Sequence, residues 1–351
     1  MKCLSNMDRI QITNTLMMQL FELYENKGRS FYYKELFERD DQIMARQTLE
    51  EDIHAIGQYL ELKITANRLK LLSKVRRNYV PKNKDEIFLL NIKNVLTKIQ
   101  AMCDEFTLRT NEVIDLTTLL YRDYETVRFN KKGSTATKTV KSFEQLSSQQ
   151  QLSTLIDKYH SVRKTAKYEL LMTISNFYVD FIKIEPFNKY NELTGLLLVY
   201  TMLAKEFQVC RYQSFFNIFK DYKEKFELAL KQAYYDWSNG LSQTDSLVRV
   251  FVDVIKQMNV LILEKEHIYE FERKMNKTNS VEYVIYNGPS VFRKKDIRNK
   301  LPLVSESTIN RTLQMLKEQG VIRPLGQGRS AQWQRLKDPK QKFSPEQLSL
   351  F

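Results

Sequence analysis

Two apolar stripes at helical spacing dominate the middle of the chain. Leu170, Ile174, Phe177, Phe181 and Ile184 recur at steps of four and three, and Leu193, Leu196, Leu197, Tyr200 and Leu203 repeat the pattern. Each is one side of a buried helix. Between them runs Glu185-Pro186-Phe187-Asn188-Lys189-Tyr190-Asn191-Glu192. Pro186 has no N–H and disfavours helix at the residue before it, so the chain breaks there. The pattern predicts helix, tight loop, helix.

Taken from the start, Thr13 to Asn26 is amphipathic, with Leu16, Leu20, Leu23 and Tyr24 inward and Gly28 closing it. Tyr33 to Arg39 is a short second helix, Asp40-Asp41-Gln42 a turn, and Ala45 to Gly57 a third helix with Leu49, Ile53 and Ile56 on one face. Glu61 to Leu72 alternates around Ala66-Asn67, which predicts a hairpin. This order is a helix-turn-helix plan with a wing over 1–80. It resembles the small winged-helix domains at the front of bacterial transcription regulators, Arg46-Gln47-Thr48-Leu49 with Asp52-Ile53 standing for their Arg-Thr-x-x-x-Asp-Ile pattern. Arg46, Gln47 and Thr48 are therefore candidate DNA contacts, weakened by Glu50, Glu51 and Asp52 on the same helix. A helical bundle with a hairpin cap fits the same pattern.

Ser73 to Asp85, with Pro81, reads as a connector, followed by helices over Glu86–Glu105 and Thr107–Arg122. Thr126–Phe129 and Thr137–Val140 flank Asn130-Lys131-Lys132-Gly133-Ser134-Thr135 and predict a hairpin. A long helix starts at Ser246, with Leu247, Phe251, Val254 and Met258 inward, and continues to Lys277, where Thr278-Asn279-Ser280 is the expected hinge into a last domain, 278–340. There Ile309, Leu313 and Leu316 face inward while Ser307, Thr308, Asn310 and Arg311 face out. Ser305 caps this helix and Gly320 closes it. Val321-Ile322 starts a strand, Gly326 and Gly328 shape a wing tip, and Arg329 projects from it. This is a winged-helix pattern, with 341–351 left as a tail.

Composition adds fold class. Among 351 residues, 42% are apolar and 28% charged, with only 9 Gly and 7 Pro, a balance that argues for a mainly α protein. No apolar run is long enough to span a bilayer and the first residues lack a signal-peptide core, so a cytoplasmic protein without a membrane partner is expected. Three scattered Cys and three scattered His suggest neither disulfide framework nor metal site. The net charge of +13 points to a polyanionic partner. It is uneven. Val291 to Lys342 holds 13 Lys and Arg against 4 Asp and Glu, a balance of +9, whereas Met1 to Val80 holds 13 against 11.

The central loop and its flanking helices resemble the Fic (Fido) family, whose signature reads His-Pro-Phe-x-Asp/Glu-Gly-Asn-Gly-Arg-x-x-Arg. Here Pro186, Phe187 and Asn191 match. The resemblance implies a Fic-like helical domain over 81–277, with the hairpin over Thr126 to Val140 as the flap that grips a target segment by strand addition. It also implies that the chemistry is degenerate. Glu185 stands for the histidine base, Lys189 for the acid that takes magnesium, and Tyr190 and Glu192 for the glycines that let backbone amides approach phosphate. Leu193 and Leu196 replace the phosphate-binding arginines. Fold class is therefore mainly α, a Fic-like core with a β-hairpin flap, flanked by winged helix-turn-helix domains.

The functional expectation is a regulator that binds double-stranded DNA as a homodimer and uses no cofactor or metal. Arg293, Lys294, Lys295, Arg298 and Arg329 would meet phosphates, and Ser305, Ser307, Thr308, Asn310 and Arg311 would lie at the major groove. The alternative is a Fic-type nucleotidyltransferase that uses ATP and Mg to AMPylate a protein hydroxyl. A third reading makes the flap edge a peptide- or protein-binding module.

Overall fold

The structure, a computed structural model, describes residues 2–75, 79–131, 143, 146–274, 277–301, 304–326 and 332–336. It divides into two units, Met1–Ile262 and Leu263–Phe351. The described residues are mainly helical.

In the first unit the order is α1 Asn14–Gly28, α2 Ser30–Phe37, α3 Asp41–Tyr59, α4 Ala66–Lys74, α5 Lys84–Met102, α6 Thr110–Tyr121, α7 Ser148–Lys164, α8 Leu170–Ile184, α9 Asn191–Glu206, α10 Val209–Tyr212, α11 Phe215–Phe219, α12 Lys223–Tyr234 and the start of α13 Asp245–Lys274. The predicted pair around Pro186 is α8 and α9. Their burial exceeds what the stripes indicated: every residue from Leu170 to Ile182 and from Thr194 to Ala204 is buried. A helix apolar on all sides belongs at the centre of a bundle, and α7, α9 and α12 all pack on α8. Gly195 permits the close α8–α9 approach, since a Cβ there would lie 2.8 Å from Tyr178 Cε2 and 3.0 Å from Phe181 Cδ1.

One acid inside this core is fully compensated. Asp180 accepts the backbone N–H groups of Lys2, Cys3 and Leu4 at 2.9 to 3.0 Å and the Trp237 indole N–H at 2.8 Å. A buried carboxylate is tolerable only with such donors. Here they tie the first residues of the chain to α8.

The N-terminal segment departs from the expected winged helix. Glu61 to Leu72 forms no hairpin; most of it is α4. Leu69 and Leu72 are buried, and a Cβ on Gly57 would lie 2.7 Å from Leu69 Cδ1, so α4 docks into the space that this glycine leaves on α3. Lys93 of α5 completes the docking by donating to the last carbonyls of α4 and the residue after it, Leu72 and Ser73 at 3.0 and 2.7 Å, and Val75. Helix α3 is packed on its apolar side by α4, α5, α10 and α11. Asp52, read as part of an exposed acidic face, is buried and accepts from Ser214 Oγ at 2.7 Å, Phe216 N at 2.8 Å and the Tyr200 hydroxyl at 3.3 Å.

In the second unit, the end of α13 is followed by α14 Lys277–Asn287, β1 Val291–Arg293, α15 Lys294–Lys300, α16 Glu306–Glu318, β2 Ile322–Pro324 and β3 Gln332–Arg335. The expected hinge Thr278–Ser280 is instead the first turn of α14, because Val281 and Ile285 enter the core at helical spacing. The sheet has the order β1-β3-β2, antiparallel throughout, with Trp333 opposite Phe292 and Pro324. Phe292, Ile297, Leu313, Leu316, Ile322 and Trp333 close one core. Arg335 Nη1 satisfies the carbonyls of Ile285 and Gly288 at 2.9 and 3.1 Å, and that of Tyr286, at the end of α14.

Candidate functional site

The loop between α8 and α9 is held by two asparagines. Asn191, the first residue of α9, accepts from Phe187 N–H at 3.0 Å and donates to Phe187 O at 2.7 Å. Asn130 donates through Nδ2 to the carbonyls of Glu185 and Phe187 at 2.7 and 2.9 Å, and through its backbone to Pro186 O at 2.9 Å. Arg128 and Asn188 exchange two further bonds of 2.9 Å. The segment before Lys131 therefore lies along the loop as a partial strand, with a bridge pairing Phe129 and Phe187 whose rings stack at 5.1 Å. Of the predicted hairpin, residues 132–140 lie outside the described residues, and Arg128, Phe129 and Asn130 pair with the loop.

Two residues of the loop carry positive φ. Glu185 (+42°) ends α8 and Tyr190 (+58°) precedes α9. A left-handed conformation costs a side-chain-bearing residue about 1–2 kcal/mol. Around Tyr190 the cost is offset by packing: its ring stacks on Tyr121 at 4.8 Å and tilts against Tyr124 at 6.2 Å, and Tyr124 stacks on Phe88 at 4.3 Å. Tyr121 reaches the Tyr190 carbonyl at 3.4 Å and Thr194 Oγ1 at 3.3 Å. Burial pushes the Tyr121 hydroxyl far above its ordinary pKa.

Comparison with solved structures gives the frame for this geometry. A Fic family protein from Desulfovibrio desulfuricans G20 superposes with a TM-score of 0.54 at 12% identity over 95% of this chain and 99% of its own. A Fic domain containing signaling protein from Bacteroides thetaiotaomicron VPI-5482 gives 0.52 at 15% over 71% and 97%. Fic-1 from C. elegans gives 0.50 at 11% over 71% of each chain. The chain has the Fic fold. At the level of sequence, no family model and no curated protein matches it.

Within the Fic fold the three residues that match the signature all hold the loop in shape. Phe187 and Pro186 are buried, and Asn191 clamps the Phe187 backbone. The positions that would do chemistry are filled otherwise. Glu185 is exposed, and Lys189 pairs with Glu125 at 3.3 Å. Leu196 is buried, Leu193 half-buried, and Glu192 stands in the first turn of α9. Magnesium needs oxygen ligands and triphosphate needs cations or free amides. An ammonium at the metal position, two carboxylates flanking the helix start and a tyrosine ring at the close-approach position do not fit a magnesium nucleotide. No cluster of three His, Cys, Asp or Glu suited to a metal occurs among the described residues.

Of the N-terminal DNA-contact candidates, only Arg46 is exposed. Thr48 is fully buried and its hydroxyl is bonded to Met44 O at 3.1 Å, Gln47 is half-buried, and Arg46 lies 3.9 Å from Glu50. In the second unit, Arg293, Lys295, Arg298 and Lys300 are exposed and Lys294 is half-buried. Arg293 N–H donates to Asp296 at 2.8 Å, which starts α15. Ser305 caps α16 by accepting from Thr308 N–H at 3.2 Å. Ser307, Asn310 and Arg311 are exposed, and Gly320 closes the helix at φ +67°. Arg329 lies outside the described residues. Arg128 and Asn130, read as part of the flap, frame the loop, as does Tyr121, which no local spacing links to a signature so far along the chain.

Proposed function

We propose that this chain is a DNA-binding regulator that retains the Fic fold as a scaffold without its transfer chemistry. The observation that carries the reading is the outward surface of the second unit. Exposed Arg293, Lys295, Arg298 and Lys300 border a capped helix, α16, whose inner face is Ile309, Leu313 and Leu316 and whose outer face is polar. Helix, strand, helix, helix and two strands is the order of a winged helix, in which the last helix enters the major groove. Phosphate contacts would come from the basic residues, with Lys294 beside them, and base contacts from Asn310 and Arg311.

The loop supports the absence of transfer chemistry, because the residues it keeps hold backbone and those it lacks would hold nucleotide. Binding of fluorescent duplex DNA by the full chain, measured by anisotropy across a salt series, tests the reading. Affinity should fall steeply with salt, and Arg293→Ala with Lys295→Ala should lower the slope by about two. Salt-independent binding, or none, would overturn it. Incubation with labelled ATP, magnesium and cell lysate addresses the rival: the expected result is no labelled protein, and label abolished by Glu185→Ala would restore the transferase.

A further inference from the structure

Resting on that reading, we infer that α16 selects a half-site containing two adenines about two base pairs apart with a guanine alongside, and that Gln314 reads one of the adenines. The first turn of α16 is committed to itself. Ser305 Oγ lies 2.8 Å from both Ser307 Oγ and Thr308 Oγ1, and Glu306 pairs with Arg298 at 3.2 Å. Thr308 is half-buried and its carbonyl accepts from Thr312. Reading capacity therefore shifts one turn along the helix, to the exposed side chains of Asn310, Arg311 and Gln314.

These three lie on the face opposite Ile309, Leu313 and Leu316, at steps of one and three. The amides of Asn and Gln present donor and acceptor side by side, which matches adenine N6 and N7, whereas guanidinium matches guanine O6 and N7. Gln314 is pre-oriented: its Nε2 donates to Glu318 Oε1 at 2.9 Å, leaving the second N–H and Oε1 for a base edge. Fixing a rotamer before binding removes part of the ordering cost. Four helical residues rise about 6 Å, close to two base steps of about 3.4 Å each. Asn310 and Gln314 are thus spaced for adenines two pairs apart, with Arg311 between.

Selection from a duplex library with a randomised centre, using the full chain, tests this. The enriched sites should carry the two adenines, and Gln314→Ala should abolish the preference at one of them, a loss of about tenfold or more in discrimination. The salt slope of Gln314→Ala should match that of the parent, because no phosphate contact is removed. Gln314→Glu should move the preference at that position to cytosine. Enrichment unchanged by Gln314→Ala, or binding without base preference, overturns the inference while leaving the DNA-binding proposal standing. Binding to no duplex at all removes both.

Discussion

Asn191 grips the main chain of Phe187 from both sides, accepting its N–H at 3.0 Å and donating to its carbonyl at 2.7 Å. The signature asparagine thus fixes the loop with no ligand involved. Asn191→Ala leaves the Phe187 N–H without this acceptor, whereas the carbonyl keeps Asn130. Stability should fall by about 1–3 kcal/mol, measured by urea unfolding. Asn191→Asp keeps the acceptor and faces a carboxylate oxygen to the Phe187 carbonyl, so it should be no milder. A variant as stable as the parent would show that the clamp is redundant.

Tyr190 stands at positive φ where the Fic signature has glycine. Tyr190→Gly relieves about 1–2 kcal/mol of backbone cost. It also gives up two ring contacts of about 0.5–1.5 kcal/mol each, together with the apolar area of the ring. The net expectation is destabilisation by about 1–2 kcal/mol. A more stable glycine variant would mean that the Tyr121–Tyr190 stack contributes little.

Gly195 lies where α9 meets Tyr178 and Phe181, and ring atoms of these side chains stand 2.8 and 3.0 Å from a Cβ. Aromatic rings buried in a helix pair yield less readily than a flexible chain end. Despite the better helix propensity of alanine, Gly195→Ala should destabilise by about 1–3 kcal/mol through overpacking. Thermal unfolding at unchanged or higher midpoint would contradict this packing.

Asp52 predicts a pH dependence. Burial, against the pull of Ser214, Phe216 and Tyr200 as donors, raises its carboxyl from 3.8 to about 7. The folded state then favours the protonated acid. Its contribution is complete below about pH 4, is lost as pH rises to about 7, and changes no further above that, at up to about 1.4 kcal/mol per pH unit. Asp52→Asn is neutral throughout. The stability difference between parent and variant, measured in urea at pH 5, 6, 7 and 8, should shift in favour of the variant up to pH 7 and then level off. A difference constant across the series would place the ionisation elsewhere.

The sequence by itself determined what depends on short periods. Leu170 to Ile184 and Leu193 to Leu203 form helices because their apolar spacing leaves no other way to bury them together, and Pro186 ends the first. Ser305 and Gly320 bounded α16 for equally local reasons, a side-chain acceptor for an unpaired N–H and a residue free to take positive φ. The loss of the signature's cations and glycines was also legible, because charge and the presence of a Cβ are properties of single residues.

Tertiary structure decided the rest. Glu61 to Leu72 alternates like a hairpin, yet Leu69 packs against Gly57, and that contact, made across a loop, selects helix α4. Glu50, Glu51 and Asp52 look alike in sequence. Only the fold places Ser214 and Phe216 against the last of them, which makes Asp52 interior and takes it off the acidic face of α3. The clamp of Asn130 on Glu185, Pro186 and Phe187 joins residues more than fifty positions apart. No periodicity carries such a bond, because its geometry exists only once the helices that bring the two segments together have packed.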